Sequence, residues 1–494
     1  MKLEPTEASL NARPLPTWFD DAKFGIFIHW GMWALPAYAE HQCLVTDVLK
    51  NHPKDGAARL PYTEWYWNAI RVPGTKSHEH HNRVYGGAPY QDFKAPFIEG
   101  LKHWDPEEWA EQFKNSGAKY VVLVTKHHDG FCLWPSDIEN PHEANWCSQR
   151  DIVGELAKAV RAQGMKFGVY YSGGFDWTFN DFPLRSFGDA LSAIPLGAYP
   201  AYAAAQCREL IERYEPSVLW NDIAWPADNK EIFRLFADYY NHVPDGVVND
   251  RWSPTIPLHR LMRNPIARYF TNLYFRRMIT SGGSEGFMPP KVAHSDFRTP
   301  EFRSFETIQE KKWEATRGLT HGFGYNRADE EQHHLPVKDL LHGFIDGVSK
   351  NGNLLLNVGP RGENGSIPSE QAGRLKAMGE WLGRNGDAIY GTRPWLKADA
   401  QTDEDVTVRF TQKGDRVFAV LLGTPRGETI TLRGTNTLPE EASLLDGSPL
   451  EVRRMGPDTK VTLKARLPSD LAHVVVFKAP TGDRRALAQD AASP

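Results

Sequence analysis

Six short apolar runs recur along the first three-quarters of the chain, at 24–28, 120–125, 167–171, 217–220, 246–248 and 354–358. Each is nearly continuous rather than alternating, which is the pattern of parallel strands buried on both faces. Helical patterns fall between most of them. Asp105-Pro106-Glu107-Glu108 supplies a capping residue, a proline for the first turn and an acid three residues on, and Gly117 closes that helix. Asp151-Ile152-Val153-Gly154-Glu155 opens another, closed by Gly164. Further helices are predicted at 199–213, 228–241, 304–319, 336–350 and 369–385. Strand–helix alternation at this spacing predicts a parallel α/β fold. The first strand runs into His29-Trp30-Gly31 and not into a Gly-rich phosphate loop. A (β/α)8-like, TIM-type barrel is therefore expected rather than an open doubly wound sheet. Strands are poorly marked over 255–325, which leaves room for irregularity there.

Beyond Trp395 the period changes. Asp405-Val406-Thr407-Val408-Arg409-Phe410 alternates, as do 417–422, 429–432 and 473–477. Period-two alternation with turn residues between predicts a small antiparallel β-sandwich. The expected organisation is a barrel domain over 1–395, the β-sandwich over 396–480, and a disordered tail over 481–494.

Composition adds exclusions. At 494 residues the chain is too long for one ordinary domain. A mean hydropathy of −0.51 predicts a soluble protein, and no apolar run approaches the roughly 18 residues a membrane span needs. The net charge of −5 and the absence of a long basic run argue against a nucleic-acid partner. The N-terminus lacks the apolar core of a secretory signal, so the chain as it stands is expected in the cytoplasm; removal of a leader would place it in the periplasm or outside the cell. Cys43, Cys132, Cys147 and Cys207 form no Cys-x-x-Cys pair, so free thiols are expected rather than a zinc site or a disulfide framework. All 16 tryptophans lie at or before Trp395, so the aromatic weight belongs to the barrel.

A barrel places its chemistry at the C-terminal ends of its strands. Those ends carry His29, His127-His128-Asp129, Tyr171-Ser172, Asn221-Asp222, Asn249-Asp250-Arg251 and Asn357. Asp222 is the most telling. It follows Val218-Leu219-Trp220, and a carboxylate delivered by a core strand is costly unless it is paired and used. Arg251, on a neighbouring strand end, could keep it ionised, as a nucleophile requires; the plain alternative is a structural ion pair at the rim. His127 and His128 suit a hydroxylated substrate. As strand neighbours they point to opposite faces, which disfavours a shared metal ion. Glu64-Trp65-Tyr66-Trp67 sets an acid among aromatics, the mixture that binds a neutral sugar, or else an interfacial helix with core aromatics. A glycosidase needs a second, protonated carboxyl group. Glu285, Asp296, Glu301 and Glu306 are candidates, in a stretch that reads as a long loop.

These motifs, in order, resemble the α-L-fucosidases of glycoside hydrolase family 29. They are Phe24-Gly25-Ile26-Phe27-Ile28-His29-Trp30-Gly31, Lys126-His127-His128-Asp129-Gly130-Phe131, Leu219-Trp220-Asn221-Asp222, Asn249-Asp250-Arg251-Trp252, Ser295-Asp296-Phe297-Arg298-Thr299-Pro300-Glu301, Gly324-Tyr325-Asn326-Arg327 and Asn351-Gly352-Asn353-Leu354-Leu355-Leu356-Asn357-Val358-Gly359-Pro360. The resemblance covers about residues 18–395. It implies a retaining exo-hydrolase that removes terminal α-L-fucose from glycans through a covalent fucosyl-enzyme, without a metal or organic cofactor. It implies Asp222 as nucleophile. It selects Glu301 as acid/base, with Glu306 and Glu285 as alternatives. It implies a fucose pocket of His29, Glu64, Trp65, His127, His128, Tyr171, Trp220 and Arg251, with Phe323 or Tyr325 near the sugar's methyl group. Glu40 is the alternative to Glu64. The competing readings are a sugar-binding protein without catalysis, a metal-dependent hydrolase using His127 and Asp129, and a galactosidase-like activity within the same chemistry. Linkage preference and oligomeric state are left open.

Overall fold

The computed structural model describes residues 2–180, 182–255, 257–281 and 288–478. Seven parallel strands form the first sheet: β1 (Phe24–Ile28), β2 (Tyr120–Lys126), β3 (Lys166–Ser172), β4 (Val218–Asp222), β5 (Val247–Val248), β6 (Trp313–Gly318) and β7 (Gly352–Val358). Their order is β5-β4-β3-β2-β1-β7-β6. Apart from β6, where Ala315 and Arg317 are half-buried, these strands are buried except at an end, as continuous apolar runs require. The gap between β5 and β6 is bridged by residues 296–302. On one side, Asp296 N–H donates to Val248 O at 2.9 Å. On the other, Glu314 N–H donates to Arg298 O and Phe302 N–H to Thr316 O. This eighth stave is too irregular to pair as a full strand, yet it closes the barrel. The helices between strands start as their caps dictate: the Asp105 carboxylate accepts the Glu107 and Glu108 N–H groups, and the Asp151 carboxylate accepts that of Gly154.

Two expectations fail. The helix expected over 304–319 is instead a bend followed by β6. Its Glu, Lys and Ala content favours a helix, but pairing with β7 and the 296–302 stave overrides that preference. The stretch 252–300, for which no helix is predicted, holds two helices, Pro257–Met262 and Pro265–Ser281.

The second sheet is antiparallel. Its strands are β8 (Arg393–Gln401), β9 (Thr407–Lys413), β10 (Arg416–Leu421), β11 (Thr429–Leu432), β12 (Glu441–Leu444), β13 (Pro449–Met455), β14 (Asp458–Thr462) and β15 (His473–Lys478). The order is β11-β14-β13-β12-β15-β10-β9-β8, and a Thr402–Leu432 bridge brings the two edges together. Alternation divides β10. Val417, Ala419 and Leu421 face this domain's own core with Trp395, Phe410 and Phe477, while Phe418 and Val420 join the barrel's core. Trp381 Nε1 donates to Ala472 O, and Arg409 pairs with Asp346, fixing the sheet against the barrel's outer helices. The tail at 481–494 lies outside the described residues. No described helix is long and apolar enough to cross a membrane. All four cysteines are free, and Cys132 and Cys207 are buried.

Candidate active site

Strand register decides which side chains enter the barrel mouth. β3 and β4 pair Tyr170 with Trp220, Tyr171 with Asn221 and Ser172 with Asp222. Side chains alternate along each strand, so Tyr170, Trp220, Ser172 and Asp222 share the inner face. Tyr171 is therefore misassigned as a pocket residue. Its hydroxyl donates to Gln206 Oε1 behind the sheet, and Lys126 lies over its ring. Tyr170 takes its place: its hydroxyl donates to Asp222 Oδ2 at 2.9 Å, and its ring stacks on Trp220 at 5.4 Å.

Arg251 joins the two carboxylates of the site. Nη1 donates to Asp222 Oδ1 at 2.9 Å and Nη2 to Glu301 Oε2 at 2.8 Å. Its Nε holds Thr299 Oγ1, and its guanidinium lies 4.8 Å over the Trp220 ring. Asp222 Oδ1 also accepts the Ile223 N–H. Burial opposes ionisation of Asp222, but Arg251, then His128 and the donors on its oxygens, outweigh it and hold the carboxyl below its usual range. Burial works against the Arg251 charge, while Glu301 and Asp222 more than restore it, so the guanidinium stays charged. The Tyr62 hydroxyl donates to Glu301 Oε1 at 2.8 Å.

The other acid candidates are placed elsewhere. Asp296 is bonded to Arg13, Tyr240 and the Val248 N–H at the start of the closing stave. Glu306 is exposed beyond the end of that stave. Glu285 lies outside the described residues.

The histidines form a neutral wall. Asn357 Nδ2 donates to Phe323 O, so its Oδ1 is the acceptor facing His29 Nδ1. His29 therefore carries its proton on Nδ1 and presents Nε2 as an acceptor. Ser172 Oγ donates to Phe175 O and so accepts from His128 Nδ1, fixing the same tautomer there. Burial pushes His29 down to about 4 and His128 down to about 3, against the pull of Asp222. His127 stacks on Tyr170 and is pushed down by burial as well. Its Nδ1 is buried without a hydrogen-bond partner among the described residues. The two histidines lie side by side, 3.9 Å between ring centres, rather than on opposite faces, because both follow the end of β2. Asp129 faces away, accepting from Tyr90 and the Phe131 N–H. Among the described residues no three His, Cys, Asp or Glu side chains are grouped to hold a metal ion.

Glu64 is buried against the Gly324 N–H, which donates to Oε2 at 2.9 Å, and burial pushes its carboxyl up to about 7. Glu40 instead pairs with Arg59 and the Lys76 N–H. Trp65 stands edge-on to His128 at 5.4 Å. Phe323 stacks on His29 at 4.9 Å and touches Tyr62 and Phe302, forming an apolar corner, whereas Tyr325 bonds Arg361 outside it. Sequence reasoning missed Tyr62, Tyr170 and Glu314. Glu314 lies on the barrel axis below the mouth, accepting from the Tyr120 hydroxyl and from Trp220 Nε1; burial pushes it up to about 7.

Comparison with known proteins agrees with this geometry. The family model described as alpha-L-fucosidase matches residues 1–387. An alpha-L-fucosidase of Branchiostoma floridae is 33% identical over 87% of this chain and 83% of its own length. The tissue alpha-L-fucosidase of Homo sapiens is 30% identical over 88% and 81%. A crystal structure of an alpha-fucosidase of Thermotoga maritima in complex with a mechanism-based inhibitor superposes with a TM-score of 0.80 at 38% identity, covering 97% of this chain and 100% of that one.

Proposed function

This chain belongs to the α-L-fucosidases of glycoside hydrolase family 29, and from that membership we propose that Asp222 and Glu301 are the two carboxyl groups that carry its reaction. The protein is a retaining, exo-acting hydrolase of terminal α-L-fucose, working by double displacement on fucosylated glycans. The observation that supports the assignment is the single Arg251 guanidinium bonded to both carboxylates. Two carboxyls drawn together in this way suit the close pair of a retaining enzyme, about 5–5.5 Å apart, better than the wider pair that leaves room for a water.

In the first step ionised Asp222 attacks the anomeric carbon from the β face. Glu301, protonated, donates to the departing oxygen. In the second step Glu301 takes a proton from water, which attacks the same carbon and releases fucose with its α configuration. Arg251 and the Tyr170 hydroxyl aim Asp222 and keep it ionised. Neutral His29 and His128 offer their Nε2 atoms to sugar hydroxyls. Glu64, its carboxyl pushed up to about 7 by burial, has an O–H to donate below that pH. Phe323 offers the apolar surface that suits a C6 methyl group. These contacts accelerate the reaction only as far as they tighten when the ring flattens toward the oxocarbenium-like transition state.

Proton NMR during hydrolysis of an aryl α-L-fucoside tests this reading. The first sugar signal should be α-L-fucose, followed by slower mutarotation. If β-L-fucose appears first, the enzyme inverts and Asp222 is not a nucleophile.

A further inference from the structure

Three loops that leave the C-terminal ends of β1, β3 and β5 meet beside the fucose pocket and enclose a cavity of about 240 Å³. Lys54 comes from the first loop, Phe182, Arg185 and Asp189 from the second, and Arg268 and Asn272 from the third. The second and third loops are fitted closely. A Cβ on Gly188 would collide with Asn272, Ser186 Oγ donates to Asn272 Oδ1, and Asn272 Nδ2 donates to Asp189 Oδ1. The cavity adjoins the sugar site through one apolar cluster. Phe182 and Leu184 pack there with Phe175, with Trp65, which stands against His128, and with Ile223, the neighbour of Asp222.

The charge of this cavity runs against that of the molecule. Three cations face one carboxylate, in a chain of net charge −5. The carboxylate is already committed. Asp189 Oδ2 accepts the N–H groups of Arg185 and Ser186, and Oδ1 accepts from Asn272 with Arg268 Nε 3.8 Å away. The Arg268 guanidinium also lies over the Phe182 ring, at 4.7 Å from its centre. Lys54 and Arg185 are exposed at the edge of the cavity. A guanidinium braced on a ring, with a second guanidinium and an ammonium beside it, is a receptor for an oxyanion. The ring also offers an apolar platform for a sugar face.

We propose that this cavity is a subsite for an anionic substituent, a sulfate ester or a carboxylate, on the glycan that leaves when fucose is cut. The proposal rests on the fucosidase reading, because only then does a leaving glycan extend over these loops. Part-exposed cations make the preference weaken with salt.

Two fucosylated trisaccharides identical except for one sulfate ester on the sugar next to fucose test it, at low ionic strength. For the wild type, kcat/KM should be about tenfold higher for the sulfated one, the gain lying in KM. The ratio should fall toward one in the Lys54→Ala/Arg185→Ala double variant and below one in Arg185→Glu. Each variant is its own control, so a general loss of activity cancels. Inorganic sulfate should compete with the sulfated trisaccharide and not with the neutral one; equal inhibition of both would place the anion elsewhere. A wild-type ratio of one, or a ratio that survives in both variants, overturns the subsite. Failure to cleave an aryl α-L-fucoside would instead overturn the fucosidase reading beneath it.

Discussion

Asp222 and Glu314 are both acids inside one barrel, a layer apart, and Trp220 stands between them. Trp220 precedes Asp222 by two residues on the same face of β4, carries Arg251 over its ring, and donates its N–H to Glu314. Burial opposes the charge of both acids. At the mouth, a guanidinium bonded to the carboxylate wins, and Asp222 stays ionised. On the floor, Glu314 is held by two neutral donors, Tyr120 and Trp220, and its carboxyl rises to about 7. The depth of burial does not separate the two layers; the bonded cation does. With Arg251 and Tyr170 on it, Asp222 is prepared for attack on carbon; Glu314, with only neutral donors on it, is scaffold.

The largest break in this contrast is Asp222→Gly, which leaves Arg251 without one carboxylate and the sugar without a nucleophile. Turnover of an aryl α-L-fucoside should fall by about four decades or more. Arg251→Met comes next. Without the guanidinium the Asp222 pKa rises, so the acid limb of the kcat/KM profile moves to higher pH, and the plateau drops by roughly 100-fold or more. An unmoved acid limb would mean that Arg251 does not tune Asp222. Glu301→Ala should depend on the leaving group. A fucoside with a good leaving group should lose about tenfold or less in the first step and one with a poor leaving group about 1,000-fold, since only the latter needs the proton. Equal losses would move the acid to another residue.

Glu314→Gln is the smallest change for catalysis, within about threefold, and it acts on stability instead. The folded-state pKa of Glu314, about 7, lies above its ordinary 4.5. Its contribution is therefore fully present below pH 4.5 and is lost as pH rises through 7. Fully expressed, this costs the wild type about 3 kcal/mol between those limits. Urea unfolding across that range should show a flatter pH dependence for the variant. An unchanged slope would mean that Glu314 is ionised in the folded protein and the contrast with Asp222 fails.

The same physics explains what the sequence allowed to be read. Strands such as 24–28 and 120–125 are legible because burial on both faces demands unbroken apolar runs. β6 is not, because Trp313-Glu314-Ala315-Thr316-Arg317-Gly318 carries a charge on its inner face and mixes Trp, Ala and Arg on its outer one, so no apolar run marks it. The stave that carries Glu301 contains a proline and pairs only in patches, so it reads as loop. Tyr170 and Tyr171 cannot be told apart in an apolar run until the register against Trp220 is known. Polar strand ends such as His29, Asp222 and Arg251 stood out because apolar runs stop at them. Tyr62 and Glu314 gave no such signal, since their partners, Glu301 and Tyr120, are 239 and 194 residues away.

The central claim is that Asp222, ionised by Arg251, attacks the β face of the anomeric carbon. Azide added to the Asp222→Gly variant tests it most directly, because a small anion can fill the space the carboxylate leaves and attack along the same line. With an aryl α-L-fucoside, azide should restore turnover and the product should be β-L-fucosyl azide. Formation of the α-azide, or no rescue at all, would contradict the assignment of Asp222 as the nucleophile.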